Sequence, residues 1–422
     1  MTYTEALEYI HSFLKFGSRP GLERVKLLAE KLGDPQKGLR TVHIAGTNGK
    51  GSTSLMLQSA ITAAGYKCGL YISPFVTDFR ERIQIDGEYI SKDDLCYYVN
   101  RIKEITDTLP EDELPTEFEV ITAAAFSYFA EKKVDFAVIE VGLGGRLDAT
   151  NIIEAPQVSV ITDIGLDHTK ILGNTIEQIA FEKCGIIKNG CPVVTSALQK
   201  SAALDVIKGV AEKRNAPLYI APAPENVRVT RNGTEFDLRG ERFKTAMPGY
   251  HQAINASLVL TALNAANINV GEKAIKAGLS AVMPARCEMI GSDPLILLDG
   301  SHNPAGGAAL ADVLTKLNVR GAVMLLGMMA DKDTDGYIKA VAPFFDNAVT
   351  VTVPGNPRAI SSEKLLQKCS GLIKNVFAAP DCGAALDMVF SISEGNAPIV
   401  VCGSLYLAGD IRQELLKRAK KR

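Results

Sequence analysis

The sequence predicts an α/β protein with two domains, the first built on a mainly parallel sheet. From Arg40 onward, short strand-like runs alternate with helical patterns, which is typical of a parallel sheet with helices on its faces. The alternation returns after a turn-rich connector, Pro284 to Asp293. A length of 422 residues also favours more than one core. We therefore predict domains at residues 1–284 and 285–422.

Each predicted strand is bounded by Gly, Pro or Asx residues. In the first domain these runs are TVHIA, KCGLYI, DFAVIEV, QVSVITD and PVVTS. After Pro217 the runs LYIAP, NVRVT, TEFDL and RFKTA predict a small antiparallel annex, with Asn232-Gly233 as a hairpin signal. Helix is expected at the N-terminus, in MTYTEALEYIHSFLKF, and from His251 to about Val282. The smaller second domain contains PLILLDG, GAVMLLG, NAVTVTV and APIVVCG.

Composition excludes several classes of protein. The 46 Lys and Arg residues against 48 Asp and Glu give a net charge of −2, without the long-range field of a nonspecific nucleic-acid or membrane binder. The longest uncharged stretch, Thr245 to Gly271, is too polar to span a membrane. Glu5 and Glu8 interrupt the N-terminal apolar segment, so we expect a cytoplasmic protein. Eight cysteines without a CxxC pair suggest neither zinc nor disulfides.

The strongest motif is a glycine-rich turn between a predicted strand and a helix expected from Ser54 to Ala64. Backbone amides in such a turn and at a helix N-terminus bind anions, and Lys50 adds a mobile positive charge. The turn departs from GxxxxGK[ST] because Gly51 stands before Ser52. A solvated turn is the alternative. The predicted phosphate-binding residues are Gly46, Thr47, Asn48, Gly49, Lys50, Gly51, Ser52 and Thr53.

Polar residues follow several other strands of the first domain. Ser73 follows KCGLYI, Glu140 ends DFAVIE, and Asp163, Asp167 and His168 follow QVSVIT. The carboxyl ends of parallel strands meet at one edge of a sheet, so these side chains are expected near the phosphate site. They suggest Mg²⁺, although histidine is an unusual ligand for it. A loop hydrogen bond for Glu140 and a structural role for His168 are the alternatives.

The second domain offers a further set of candidates. PLILL is followed by Asp299 and His302, which a strand end would expose toward the phosphate site, and Pro304 suits the first turn of a helix. Arg286 lies in the connector, where it could contact a nucleotide bound between domains. Ordinary turn residues and a surface charge are the alternatives.

Eleven motifs together resemble those of folylpolyglutamate synthases, which are often bifunctional with dihydrofolate synthase and belong to the Mur ligase superfamily. They run in order along the chain: GTNGKGST, SPF, RERI, TEFE, EVGLGGRLDATN, GLDH, IAFEKCGIIK, HQAINA, DGSHNP with DKD, and GSLYL. The resemblance implies an N-terminal P-loop domain and a C-terminal Rossmann-like domain with ATP between them.

The resemblance also implies residue roles. Lys50, the surrounding glycines and Ser52 would hold the ATP phosphates, and Lys183 would be carbamylated and assist the metal, a salt-bridging lysine being the alternative. Asp299 and His302 would join these two lysines in catalysis. The Mg²⁺ ligands would be Ser73, Glu140 and His168. The nucleotide would further contact Asn255, Arg286 and Asp299. The glutamate would meet His302 and Ser404. The folate or pteroate site would be lined by Arg82, Thr116, Phe118, Arg146 and Asp148.

Three departures from the family pattern remove no group that does chemistry. Ser301 and Cys184 stand where alanine is common, and the connector reads PARCE, with Ala285, where PGRxE is usual.

The resemblance therefore predicts an ATP-dependent ligase that adds L-glutamate to reduced folate through an acyl phosphate. Family analogy extends the acceptors to dihydropteroate and suggests a monomer, with no nucleic-acid or membrane partner. Two alternatives stay open. One is another Mur-type amino-acid ligase, for which a third, sugar-binding domain is missing. The other is a nucleotide-binding module without turnover, which the acid, hydroxyl and imidazole at successive strand ends argue against.

Overall fold

The computed structural model describes residues 1–17 and 19–420, which form two compact units. The first comprises Met1–Ala223 and Asn255–Leu279, and the second comprises Pro224–Ile254 and the chain from Ser280 onward. The antiparallel segment within Pro224–Ile254 thus belongs to the second unit. The domain limits of 1–284 and 285–422 remain a prediction.

The first unit is built on an eight-stranded sheet. Its strands are β1 Thr41–Ala45, β2 Cys68–Tyr71, β3 Ile83–Ile85, β4 Glu88–Tyr89, β5 Phe136–Glu140, β6 Val158–Ile161, β7 Val193–Ser196 and β8 Leu218–Ala221. The spatial order is β4-β3-β2-β5-β1-β6-β7-β8. Strand β3 pairs antiparallel with both β2 and β4, and all other neighbours in this sheet pair parallel. The expectation that LYIAP joins the antiparallel annex is wrong. A crossover helix precedes this run, and it pairs parallel to β7 as strand β8.

Helices cover the first sheet. They are α1 Tyr3–Ser12, α2 Glu23–Lys31, α3 Lys50–Ala63, α4 Lys92–Thr106, α5 Glu117–Glu131, α6 Thr169–Leu172, α7 Ile176–Lys183, α8 Ser201–Lys213, α9 Tyr250–Ala265 and α10 Glu272–Leu279. One apolar core joins α1, α2, α4 and α5 to the sheet, and another joins α7 and α8 to it. Helix α1 begins with a capping box between Thr2 and Glu5.

The second unit has a six-stranded sheet and a separate antiparallel one. The strands are β9 Glu225–Thr230, β10 Gly233–Leu238, β11 Glu241–Thr245, β12 Glu288–Ser292, β13 Leu295–Leu298, β14 Ala322–Leu326, β15 Phe345–Thr350, β16 Asn375–Ala378 and β17 Ile399–Cys402. The helices are α11 Pro304–Lys316, α12 Thr334–Val341, α13 Ser362–Cys369, α14 Cys382–Ser393 and α15 Leu405–Lys420. The larger sheet has the order β12-β13-β17-β14-β15-β16, with only β12 antiparallel.

The predicted α/β class, with a mainly parallel first sheet and a second α/β unit, is confirmed. The expectation that Pro284 to Asp293 is only a connector is wrong, because β12 forms there and pairs with β13. No helix in the described part of the chain is both long enough and apolar enough to cross a membrane.

Candidate active site

The glycine-rich turn forms a tight loop between β1 and α3. A Cβ on Gly46 would lie 1.7 Å from Thr162 Oγ1, and one on Gly49 would lie 2.5 Å from Asn255 Oδ1. Gly49 also has a φ of 87°. Both positions therefore require glycine, because a side chain would collide with the neighbouring strand end or helix.

Helix α3 starts with backbone amides that no side chain caps. It begins at Lys50, four residues before the predicted Ser54, because Gly49 already acts as the N-cap. The Lys50 ammonium folds over the loop and donates to the carbonyls of Gly46 at 3.1 Å and Thr47 at 3.3 Å. First-turn amides without a side-chain cap, the helix dipole and the Lys50 ammonium together suit an anion such as phosphate.

The strand order brings the predicted polar residues to neighbouring strand ends. Since β2, β5, β1 and β6 are consecutive in the sheet, Ser73, Glu140, the loop and Asp163 follow one another along its edge. The Ser73 amide lies 3.4 Å from Glu140 Oε2, and Glu140 is buried. Asp163 fixes the loop to β6, because its backbone carbonyl accepts from the Thr47 amide at 2.8 Å.

The donor set at this edge fits Mg²⁺ in part. Ser73 and Glu140 lie together and supply oxygen donors, which Mg²⁺ prefers. His168 supplies nitrogen and lies beside Asp167, with 3.9 Å between His168 Nε2 and Asp167 Oδ1. Within residues 1–17 and 19–420, no group of three His, Cys, Asp or Glu side chains is arranged to hold a metal. The role of His168 as a ligand therefore stays a prediction.

Lys183 at the end of α7 is buried beneath the glycine-rich loop. Its ammonium donates to the Gly46 carbonyl at 2.7 Å, a backbone acceptor rather than the salt-bridge partner of the alternative interpretation. The pKa of Lys183 is lowered to about 7, mainly by burial and also by the charge of Lys50, against the opposite effect of Asp167. A substantial fraction of this amine is neutral near neutral pH, which is the state that can add CO₂.

Asp148 organises the loop GLGGRLDATN. Its buried carboxylate accepts from the Leu143 amide at 2.9 Å, the Thr150 amide at 3.0 Å and the Thr150 hydroxyl at 2.5 Å. Burial raises the pKa of Asp148, against these hydrogen bonds, which lower it. In the same loop, Arg146 forms an ion pair with Glu182, with 2.9 Å between Nη2 and Oε1. The shape of this loop thus depends on both predicted substrate residues.

His43 on β1 continues this network, and sequence reasoning missed it. The Thr150 hydroxyl donates to Asp148, so it accepts from His43 Nε2–H, 2.9 Å away. His43 Nδ1 is buried with no hydrogen-bond partner among the described residues, and burial lowers the pKa of His43 to about 3. The only signal in the sequence was a polar residue inside an apolar strand.

A cluster of aromatic rings surrounds Arg82. Its guanidinium carbon lies 5.3 Å from the ring centroid of Phe75 and 5.5 Å from that of Phe79. Arg82 Nε is buried and has no hydrogen-bond partner in the described residues. The Phe118 ring packs 5.9 Å from that of Tyr71, and a Cβ on Gly142 would lie 2.5 Å from Phe118 Cζ. The structure therefore brings a cation and flat apolar faces together.

Two side chains shape the segments that carry this cluster. Thr116 caps α5, where its hydroxyl accepts from the Glu119 amide at 3.3 Å. Glu81, which the sequence did not single out, accepts from the amides of Val76, Thr77 and Asp78 at 2.7–2.9 Å. Thr116 is thus used for helix capping, and Glu81 orders the loop that presents Arg82.

Two predicted site residues of the second unit, Asp299 and His302, lie in the loop after β13. Asp299 is buried and accepts from the Cys287 amide at 2.8 Å and the Ser301 amide at 2.9 Å. His302 Nδ1 lies 3.0 Å from the Gly300 carbonyl, so Nδ1 carries the proton and Nε2 is the acceptor of the neutral ring. Cys287 directly follows Arg286, so this hydrogen bond joins the turn that carries Arg286 to Asp299.

Two further predicted site residues, Ser404 and Asn255, are buried. The Ser404 hydroxyl accepts from the Tyr406 amide at 3.1 Å at the start of α15. Asn255 on α9 lies against Gly49 of the glycine-rich loop, because a Cβ on Gly49 would lie 2.5 Å from Asn255 Oδ1.

Two protein-family models match this chain. The chain matches the family models of the Mur ligase middle domain at residues 44–263 and of the Mur ligase glutamate ligase domain at residues 285–405. The chain therefore has the fold of a Mur ligase.

Known proteins and solved structures match this chain over nearly their whole length. Dihydrofolate synthase/folylpolyglutamate synthase of Bacillus subtilis is 39% identical, covering 98% of this chain and 99% of its own. Folylpolyglutamate synthase of Mycobacterium tuberculosis complexed with ADP has a TM-score of 0.89 and 32% identity, covering 98% and 99% of the two chains. Escherichia coli FolC in complex with DHPP and ADP has a TM-score of 0.87 and 30% identity, covering 99% and 98%. The chain belongs to the folylpolyglutamate synthase/dihydrofolate synthase family, as its motifs predicted.

Proposed function

We propose that this protein is an ATP-dependent ligase that forms an amide between L-glutamate and the carboxylate of a reduced folate or of dihydropteroate. The observation that carries the proposal is the uncapped N-terminus of α3, with Lys50 folded over a loop that only glycine can form. Family membership connects this anion site to folate chemistry, and the relatives from M. tuberculosis and E. coli were solved with ADP.

The reaction must first activate a carboxylate, whose negative charge repels nucleophiles and whose oxide is a poor leaving group. The acceptor carboxylate oxygen attacks the γ-phosphorus of ATP, which gives an acyl phosphate and ADP. The glutamate amine then attacks the acyl carbon, the amide C–N bond forms, and inorganic phosphate leaves. Phosphoryl transfer depends mainly on positioning and charge neutralisation. We assign that work to Lys50 and the first-turn amides of α3.

Mg²⁺ would be held by Ser73 and Glu140, with His168 as the third proposed ligand, and it would neutralise charge on the ATP phosphates. Lys183 lies under the same loop. As a carbamate it would become an anion at the edge of the site. Gly46 to Thr53 and Asn255 would contact the phosphate end of the nucleotide. Arg286 and Asp299 would contact it from their own loops.

The acceptor site would be lined by Phe75 and Phe79, whose rings lie at Arg82, and by Phe118, whose ring packs against Tyr71. A planar pteridine gains stacking energy on such faces, and the unpartnered Arg82 Nε offers a donor to a carboxylate or ring oxygen. Arg146, Asp148 and Thr116 would act by shaping the walls, through the contacts described above. The E. coli relative is named dihydrofolate synthase/folylpolyglutamate synthase, which supports dihydropteroate as a second acceptor.

Glutamate would be received by His302 and Ser404 of the second unit. The His302 Nδ1–H group donates to the Gly300 carbonyl, which fixes the orientation of the imidazole ring. Buried Asp299 fixes the loop that carries His302, since it accepts from the Ser301 amide.

Single substitutions of Lys50 and Glu140 test the proposal. We expect Lys50→Ala and Glu140→Ala to lower glutamate-dependent ADP release by on the order of 10² to 10³, the usual cost of removing such a charge. Circular dichroism should show an unchanged fold. Lys276→Ala removes an exposed lysine elsewhere in the same unit and should retain full activity. Near-normal ADP release by Lys50→Ala would contradict the assignment.

A further inference from the structure

The turn that carries Arg286 has an unfavourable backbone on both sides of that residue. Ala285 has a φ of 55° and Cys287 a φ of 47°. This left-handed region disfavours residues with a Cβ, and two such residues in one turn persist only where surrounding contacts hold them. The Arg286 side chain itself is half-buried, and within the described residues it has no hydrogen bond or ion pair. The backbone of the turn therefore sets the point from which this side chain extends.

A buried ion pair holds one side of the turn. Glu288 Oε2 accepts from the Ala285 amide at 2.9 Å. The same carboxylate accepts from Arg412 of α15, at 2.9 Å from Nε to Oε2 and at 2.6 Å from Nη2 to Oε1. The Glu288 side chain is only 10% exposed and the Arg412 side chain 23%. Such a two-point pair fixes the carboxylate in the plane from which it reaches the Ala285 amide.

The other side of the turn is joined to Asp299. The Cys287 amide donates to Asp299 Oδ2 at 2.8 Å, and the Gly300 amide donates to the Ala285 carbonyl at 2.7 Å. Contacts therefore run without a break from Arg412 through Glu288 and the turn to Asp299. Arg286 and Asp299, the two proposed nucleotide contacts of this unit, share one support.

We propose that Glu288 and Arg412 are positioning residues that set the nucleotide affinity by holding Arg286 and Asp299 in place. The inference rests on the proposed function, in which these two side chains contact ATP. Neither Glu288 nor Arg412 needs to touch the nucleotide. Their ion pair keeps the turn in the left-handed conformation that its own residues disfavour.

The first test compares Arg412→Gln with Arg418→Gln. Arg418 lies on the same helix and pairs with Asp387, so its removal is a matched loss of charge. We expect Arg412→Gln to weaken ADP binding, measured by calorimetry, by about tenfold, with KM for ATP rising in parallel and kcat at saturating ATP within about threefold of the unmodified protein. Arg418→Gln should bind ADP normally. A lower melting temperature of Arg412→Gln with unchanged ADP affinity would overturn the proposal.

A double-mutant cycle separates positioning from general destabilisation. If Arg412 acts through Arg286, the double variant Arg286→Ala/Arg412→Gln should bind ADP about as weakly as Arg286→Ala alone. Multiplied losses would overturn the proposal, and so would normal ADP binding by Arg286→Ala. Should Arg412→Gln not fold, Glu288→Gln replaces it in the cycle, with the same expected and contradicting results. Failure of the ligase function would look different, because the unmodified protein would then bind ADP but show no turnover with any folate acceptor.

Discussion

Lys183 should titrate near neutral pH, far below an ordinary lysine. Its burial lowers the pKa from 10.5 to about 7. At pH 7 about half of this amine is then neutral, compared with on the order of one in 3,000 for an exposed lysine. Only the neutral amine adds CO₂, so carbamylation at Lys183 should be favoured over that of surface lysines by a similar factor.

Nuclear magnetic resonance of protein labelled with ¹³C-lysine measures this pKa directly. In CO₂-free buffer, one resonance should titrate near pH 7 and should be missing from Lys183→Met. Lys188, whose burial lowers its pKa to about 8, is assigned in the same way with Lys188→Met. Added ¹³CO₂ should then give a carbamate signal that Lys183→Met lacks. A Lys183 resonance that titrates above pH 9 would refute the reasoning.

The same pKa predicts the direction of a stability change. Between about pH 7 and pH 10.5 the unfolded chain binds more protons at this position than the folded one, so the free energy of unfolding rises with pH across that window. Below pH 7 both states are protonated and the full penalty, at most roughly 5 kcal/mol, applies. Urea unfolding should therefore show that the unmodified protein gains stability relative to Lys183→Met between pH 6 and pH 9. A difference that does not change with pH would contradict the lowered pKa.

Three further substitutions test other contacts. Ala285→Gly should stabilise the second unit by about 1 kcal/mol, because its φ of 55° suits glycine, and thermal unfolding should show a rise of about 2–4 °C; a lower melting temperature would contradict the strain. Gly142→Ala places a Cβ 2.5 Å from Phe118 Cζ, so KM for the folate acceptor should rise several-fold while ADP affinity stays constant; an unchanged KM would exclude Phe118 from the acceptor site. Thr150→Val removes the hydroxyl between Asp148 and His43 and should cost about 1–3 kcal/mol in urea unfolding, since buried polar atoms lose their partner; a neutral effect would mean that water replaces it.

Local patterns predicted most strands because the central strands of a parallel sheet are continuous apolar runs. TVHIA in β1 and FAVIE in β5 are buried at every position. The pattern does not encode the partner of a strand, which is why LYIAP was assigned to the annex. The short strands β3, β4 and β16 were missed. Strand β4 is exposed along its two residues, and β16 is at most half-buried, so their hydrophobic signal is weak.

The sheet edge was predictable because parallel strands place their carboxyl ends together. Ser73 and Glu140 meet as expected from that rule alone. Burial was not predictable, since it depends on segments distant in sequence. The low pKa of Lys183 and the contact of Glu288 with Arg412, 124 residues further along the chain, both arise in this way.

The central claim is that this protein couples ATP to glutamate addition on a folate. Glutamate-dependent ADP release, measured in parallel with tetrahydrofolate, dihydropteroate and a muramoyl nucleotide as acceptors, tests it most directly. We expect turnover with tetrahydrofolate, turnover with dihydropteroate if the enzyme is bifunctional, and none with the muramoyl nucleotide. Turnover with the muramoyl nucleotide alone, or ADP binding without turnover on any of the three, would contradict the claim.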